Sequence, residues 1–274
     1  MVVSRRFEAI IKQPVLLGYA SYDVLHSGEC GEGAPKPTGL EGVSPGRTYQ
    51  ERVRLIKDVL AELRERGLAS VDNPVPELRE TVRLLHNPHR RIYGWYGFVE
   101  DDQRVQGSFH IAESDDVAVL AAWERGQVLL EPVDADDLHS VVASLLPDAV
   151  EPIADGEIVV TPERPRRASN DDDSELPFVD RDLDRTERDP VQRKHDRVEQ
   201  LTTGEQHFVM QLGKAHKSAR GGEKVNEFPL HYYFGAEGAV MSVLKRSGPD
   251  PDDEPLRHLI PATPEAFLRE LRAL

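Results

Sequence analysis

A single cysteine, Cys30, among 274 residues excludes an intramolecular disulfide and a cysteine-rich zinc site. Long apolar runs are also missing. The longest, Val117 to Trp123, is far too short to span a bilayer. Near the N-terminus, Glu8 and Lys12 interrupt the stretch around Ile10-Ile11, so a signal-peptide core is not expected and a cytosolic location is. Positive charge is in deficit: 34 Lys+Arg stand against 49 Asp+Glu, a formal net charge of -15. That balance repels phosphate backbones and anionic lipid, so neither nucleic acid nor a membrane is an expected partner.

Catalytic signatures are absent too. Gly-x-Ser-x-Gly, His-Glu-x-x-His and the dinucleotide fingerprint do not occur. The run Gly28-Glu-Cys-Gly-Glu-Gly33 has the glycine density of a phosphate loop but not its Lys-Ser/Thr ending. It carries two carboxylates and leads into Pro35, so it reads as part of a flexible loop over 26–47. Glu29 and Glu32 beside Cys30 raise the cost of a thiolate, which predicts an inert thiol. His86 and His89 are close in sequence, but Pro88 breaks the helix that would align them and no nearby residue completes a ligand set. Surface or helix-end positions are therefore the plain reading for the histidines, His110, His207, His231 and His258 fall in expected strands with no visible common partner, and no metal or cofactor is expected.

What is present is regular secondary structure with clear punctuation. Residues 7–25 suit a strand or a short helix. Thr48-Tyr-Gln-Glu51 is a capping box, followed by Val53, Ile56, Leu60 and Leu63 on one helical face and by Gly67 as the left-handed stop. A second helix follows Pro76 and ends at Asn87-Pro88. From Arg91 the period changes to two, and four strands follow, separated by the turns 100–104, 113–116 and 124–127. Pro132-Val133-Asp134 then opens a helix bearing Leu138, Val142 and Leu145. The second half repeats the order. Strands begin at His207, Phe228, Ala239 and Leu256, with a long polar loop over 213–224, and Thr263-Pro264-Glu265 caps a closing helix.

The two endings align without gaps at an offset of 129, pairing Leu130 with Leu259, Pro132 with Pro261, Asp134 with Thr263 and Leu138 with Phe267. An internal duplication follows. The expected organisation is an N-terminal half over 1–162, a charged linker or helix over 163–200 with disorder around 165–176 and easy cleavage around 166–175, and a second unit over 201–274. Outside the two unequal loops, residues 91–146 should overlay on 206–274. The fold class is α+β: two quasi-twofold β-β-β-β-α units with additional N-terminal and linker helices.

Aromatics gather at Tyr93, Trp95, Tyr96 and Phe98, and again at Tyr232, Tyr233 and Phe234. Packing on both sheet faces is the plain account, and it would make Trp95 a core residue. Glycines 94, 97 and 107 also leave hollows that a partner's large side chain could enter.

The order of these features resembles the EspG-type chaperones of ESX, or type VII, secretion systems. The residues that carry the resemblance are Asp23-Val-Leu25, Thr48-Tyr-Gln-Glu-Arg52, Ala61 to Leu68, Leu84 to Pro88, Leu129 to Pro147, Tyr232 to Val243 and Leu268 to Leu274. It implies a mixed α/β fold with quasi-twofold halves around a central antiparallel sheet. It also implies a cytosolic, non-enzymatic chaperone that binds the helical tip of a PPE-type protein and keeps the PE–PPE pair soluble for export. Family recognition uses the sheet surface and the first hairpin loop, which here corresponds to Glu100, Asp101, Asp102, Gln103 and Arg104. The aromatic cluster beside the glycine hollows makes Trp95 and Phe98 the expected apolar contacts, and the long loop over 213–224 is the alternative place of contact. Self-association remains open. The rival readings are an interaction scaffold unrelated to secretion, and an enzyme with a pocket between the halves, which would need His110 and His231 to converge beside carboxylates.

Overall fold

Period-two patterning dominates the chain from Arg90 onward, and the strands it specifies join into one sheet. The computed structural model describes residues 9–161 and 190–274, apart from 43, 44, 47, 72, 149, 219, 249, 251 and 252. In chain order the elements are β1 (Val15–Gly18), α1 (Tyr19–Cys30), α2 (Tyr49–Glu65), α3 (Pro76–His86), β2 (Arg90–Glu100), β3 (Gln103–Ser114), β4 (Val117–Glu124), β5 (Gln127–Val133) and α4 (Leu138–Ala143). They continue with β6 (Ile158–Val160), α5 (Pro190–Thr203), β7 (Gln206–Lys217), β8 (Glu223–Val225), β9 (Leu230–Gly235), β10 (Gly238–Arg246), β11 (Pro255–Pro261) and α6 (Pro264–Ala273).

The sheet runs β1-β5-β4-β3-β2-β7-β9-β10-β11-β6, with β8 paired to the end of β7. Outward from the β2–β7 seam, one side is a meander of β2, β3, β4 and β5 and the other a meander of β7, β9, β10 and β11. Each meander is followed in sequence by a helix, α4 or α6. Short turns close the first meander. Asp101 and Asp102 both have positive φ (49° and 60°), as do Arg125 and Gly126 (49° and 77°), the left-handed pair that a two-residue hairpin needs.

Alternation sends the two faces of the sheet to different helices. Ile92, Phe109, Met210, Tyr232 and Met241 pack on α4 and α6 through Val142, Phe267 and Leu271. On the opposite face, Ala112, Val119, Ala121, Val128 and Leu130 pack under α1, α2 and α3. Farther along that face, Val240 and Leu259 meet Val198 and Leu201 of α5.

The helix punctuation acts as the residue types dictate. The Thr48 hydroxyl accepts from the Glu51 amide while the Glu51 carboxylate accepts from the Thr48 amide. At the far end the Leu68 amide donates to the Leu63 carbonyl (2.7 Å) and the Gly67 amide to that of Arg64 (3.0 Å), a Schellman stop with Gly67 at φ 71°. Thr263 caps α6 by accepting from the Ala266 amide.

Three expectations are corrected. The flexible loop expected over 26–47 starts later, because α1 continues to Cys30. Tertiary ion pairs hold that last turn: Glu29, nearly buried, meets Arg79 (2.6 Å) and Arg83 (2.7 Å) of α3. Farther up α1, Asp23 meets Arg52 (2.7 Å) and Lys36 (2.6 Å). The long loop expected over 213–224 is mostly strand. Gly213 to His216 pair with Arg90 to Tyr93, and β8 closes a hairpin on them. Polar residues stay in register here because Gly213 leaves room for the Tyr93 ring, which would lie 2.6 Å from a Cβ. Finally, Asp134 does not cap α4. Its carboxylate accepts from the Asp136 amide (2.9 Å) in a turn, and the helix starts after Asp137. The linker around 165–176, with its expected disorder and cleavage, lies outside the described residues, and the helix that is one of the two readings of the charged stretch over 163–200 is present from Pro190 as α5.

Two predictions follow from this packing. A Cβ at Gly94 would run into the Gln211 carbonyl across the seam and the Phe109 ring (2.8 Å), and backbone cannot yield as a side chain can. Gly94→Ala should therefore cost about 2 kcal/mol or more in a denaturant melt. His110, fully buried, bonds the Thr38 carbonyl through Nδ1 (2.9 Å), and burial lowers its pKa to about 4. Above pH 6.5 it is neutral whether folded or not. Below that, the unfolded chain takes up a proton that the folded one refuses until about pH 4. Stability should fall across that window by on the order of 3 kcal/mol from this group. Urea midpoints against pH should show a shallower slope between 6.5 and 4 in His110→Gln.

Candidate functional site

One strip of the sheet is left without a helix. On the face covered by α1–α3 at one end and α5 at the other, the central strands β2 and β7 are open, and α5 reaches inward as far as Tyr233 of β9. The register places Trp123, Ser108, Trp95, Gln211 and His231 in one row across β4, β3, β2, β7 and β9. The next row holds Gln106, Gly97, Val209 and Tyr233. These residues floor a hollow of about 530 Å³.

The segment after α1 builds one wall. Leu40 is buried, and the Ser108 hydroxyl and His110 ring bond the Gly39 and Thr38 carbonyls, so the strand face itself holds the segment down. Gly39, at φ 89°, passes close over β3, where a Cβ would come 2.8 Å from the Phe109 carbonyl. Glu41 lines the hollow and accepts from the Gly39 amide (2.6 Å).

The floor combines the aromatic and aliphatic area of Trp95, Trp123, Tyr233 and Val209 with the polar side chains of Gln106, Ser108, Gln211 and His231. Trp95 is 40% exposed, edge-on to Tyr93 at 5.9 Å. Val99, farther along β2 on the same face, is also exposed. His231 stacks on Tyr233 (6.2 Å). Burial, and then Arg257, lowers the His231 pKa, while burial raises that of Tyr233. A neutral imidazole and a neutral phenol suit contact with a large apolar side chain better than proton transfer.

Trp95 is therefore not the core residue that strand packing alone implied. Gly97 beside it carries no side chain to cover it, and the gap between the helix layers runs above it. Phe98, one strand position out of phase, lies on the other face. It is half-buried, stacked on Tyr96 (6.3 Å), and Tyr96 stacks in turn on Phe208 (6.4 Å). Asp101 and Asp102 form the exposed tip of the β2–β3 hairpin with Gln103 and Arg104 exposed beside them. Glu100 pairs with Arg125, which ties that tip to the β4–β5 turn. Sequence reasoning missed Gln211 and His231 as floor residues. They carry no motif, and only the β2–β7 pairing brings them beside Trp95.

The histidines are placed with equal clarity. His110 and His231 are separated by β2 and β7, three strand spacings or roughly 14 Å, so they do not converge. His86 does not join His89. It meets His26 instead, and Cys30 completes a cluster of three ligand-type side chains between α1 and α3. Burial, then Glu29, raises the Cys30 thiol pKa to about 11, in line with the expected protonated thiol. Among the described residues no helix is long and apolar enough to cross a membrane.

The solved structure of the type VII secretion system chaperone EspG5 of Mycobacterium tuberculosis, in complex with the PE25–PPE41 dimer, shares the fold. Its TM-score is 0.63 over 94% of each chain, at 10% identity. No curated protein matches the sequence. The model of the EspG family matches residues 23–273, and the chain belongs to that family.

Proposed function

We propose that this protein is a cytosolic, non-enzymatic chaperone that binds the helical tip of a PPE-type protein, alone or in a PE–PPE pair, and keeps it soluble for type VII secretion. The observation that carries this reading is the family match over nearly the whole chain. A second support is that the EspG chaperone with the same fold is in complex with a PE–PPE dimer. The open strip fits the role physically. It offers rigid aromatic and aliphatic area, with charged groups confined to its edge.

The docking surface in this reading is the open face at Trp95 together with the hairpin tip Glu100, Asp101, Asp102, Gln103 and Arg104. Phe98 supports it from beneath. Apolar residues of the partner's tip lie on Trp95 and Val99. Arg104 and the aspartates select orientation, because charges at a rim act more on encounter and register than on net affinity.

Because Trp95 is substantially exposed, its truncation leaves the core intact. Trp95→Ala should weaken binding of a purified PE–PPE pair by about 2 kcal/mol, roughly 30-fold, with an unchanged circular dichroism spectrum. The charge test must respect the turn. Asp101 and Asp102 have positive φ, so Asn is the replacement that removes charge without strain. Asp101→Asn with Asp102→Asn should cost about 1 kcal/mol or less, and its effect should fade in high salt. Wild-type affinity in both folded variants would move the docking surface off this face.

A further inference from the structure

We propose that His26, Cys30 and His86 form a zinc site that fastens α1 to α3. The proposal is independent of the chaperone reading and rests on side-chain placement alone. His26 and Cys30 are four apart on α1 and so share a helix face. His86 is the last residue of α3, the helix packed against that face. The three ligand atoms lie within 4.8 Å of one another. His26 Nε2 and His86 Nδ1 are 3.3 Å apart. Two imidazole nitrogens on one tetrahedral zinc, each at about 2.0–2.1 Å, stand about 3.3 Å apart, so this edge of the site is already at its bonded length.

The chemistry of the donor set selects the metal. One thiolate with two imidazoles is a borderline-soft set that suits zinc and leaves the hard cations, which want oxygen, poorly served. Three protein ligands leave one tetrahedral position for another donor. Tyr22 lies one turn before His26 on the same face, its ring 6.1 Å from that imidazole. The Tyr22 side chain is fully buried, and its hydroxyl has no hydrogen-bond partner among the described residues. A buried hydroxyl without a partner among the described residues, on a ring next to the His26 imidazole, is a costly arrangement unless something else occupies the space. Cys30 and His86 are only half-buried, which gives a cation a route in.

The neighbouring acids do not compete for the ion. Asp23 is held by Lys36 and Arg52, and Glu29 by Arg79 and Arg83. Binding balances simply: the Cys30 thiol releases its proton to solvent and the sulfur takes the zinc. The effect is a cross-link between two helices that ion pairs otherwise join, on the side of the sheet that walls the open strip.

The test uses the full chain, reduced and stripped with chelator, titrated with zinc by calorimetry and with Co²⁺ as a spectroscopic probe. One zinc per chain should bind with micromolar or tighter affinity. Co²⁺ should give intense tetrahedral d–d bands and a thiolate-to-metal charge-transfer band. Zinc in hundredfold excess over Kd should raise Tm by about 5 °C. Cys30→Ser, a small change at a half-buried position, should keep the wild-type circular dichroism spectrum, lose the charge-transfer band and bind zinc at least tenfold more weakly. His86→Gln should weaken binding similarly. Failure to bind stoichiometric zinc, a weak octahedral cobalt spectrum, or wild-type zinc affinity in Cys30→Ser would each overturn the site.

Discussion

The pairing of β2 with β7 is the constraint on which the rest depends. Nine register pairs, from Arg90 with His216 to Phe98 with Phe208, join segments more than a hundred residues apart in sequence. Without them the chain holds two four-stranded meanders, each with an unpaired edge. With them it holds one sheet in which the edges of β2 and β7 are paired with each other. The fit is steric as well as hydrogen-bonded. Gly94 lets Phe109 and the Gln211 carbonyl approach from either side, and Gly213 lets the Tyr93 ring lie flat. The Tyr96–Phe208 stack then crosses the same seam on the face toward α4 and α6.

The seam also creates the open strip. Helices α1–α3 belong to the first meander and sit over β3, β4 and β5, and α5 sits over the second from β9 outward. Neither set reaches the middle, where β2 and β7 meet. An apolar floor at Trp95 and Tyr233 is thus a consequence of joining two units that each cover their own far side. The sheet behind it is continuous and packed on α4 and α6, so the floor is rigid, and a rigid floor lowers the ordering cost of binding.

Much of this architecture was legible in the residues. Thr48, Glu51 and Gly67 mark the ends of α2, and alternation from Ile92 marks β2 and its neighbours, because these signals act over a few residues. What was not legible depended on contacts distant in sequence. The last turn of α1 is held by Arg79 and Arg83, about fifty residues on, so its glycines read as loop. Residues 213–217 are polar, and only the seam makes them strand. His26, Cys30 and His86 show no ligand spacing in sequence because sixty residues separate the outer pair. Trp95 was read as core because its strand is hydrophobic on both faces, and only the arrangement of helices shows which face is left open. The family resemblance rested on order and spacing, which survive where individual residues do not, as the 10% identity to the solved EspG5 chain illustrates.

The central claim is that a partner docks on the open strip at the seam and not on a helix-covered face. Hydrogen–deuterium exchange of the full chain, with and without a purified PE–PPE pair, tests it directly. The account predicts new protection in residues 95–106 and 206–211 and in the segment around Glu41, with little change in α4 and α6. Protection confined to α4 and α6, with β2 and β7 exchanging as in the free protein, would contradict it.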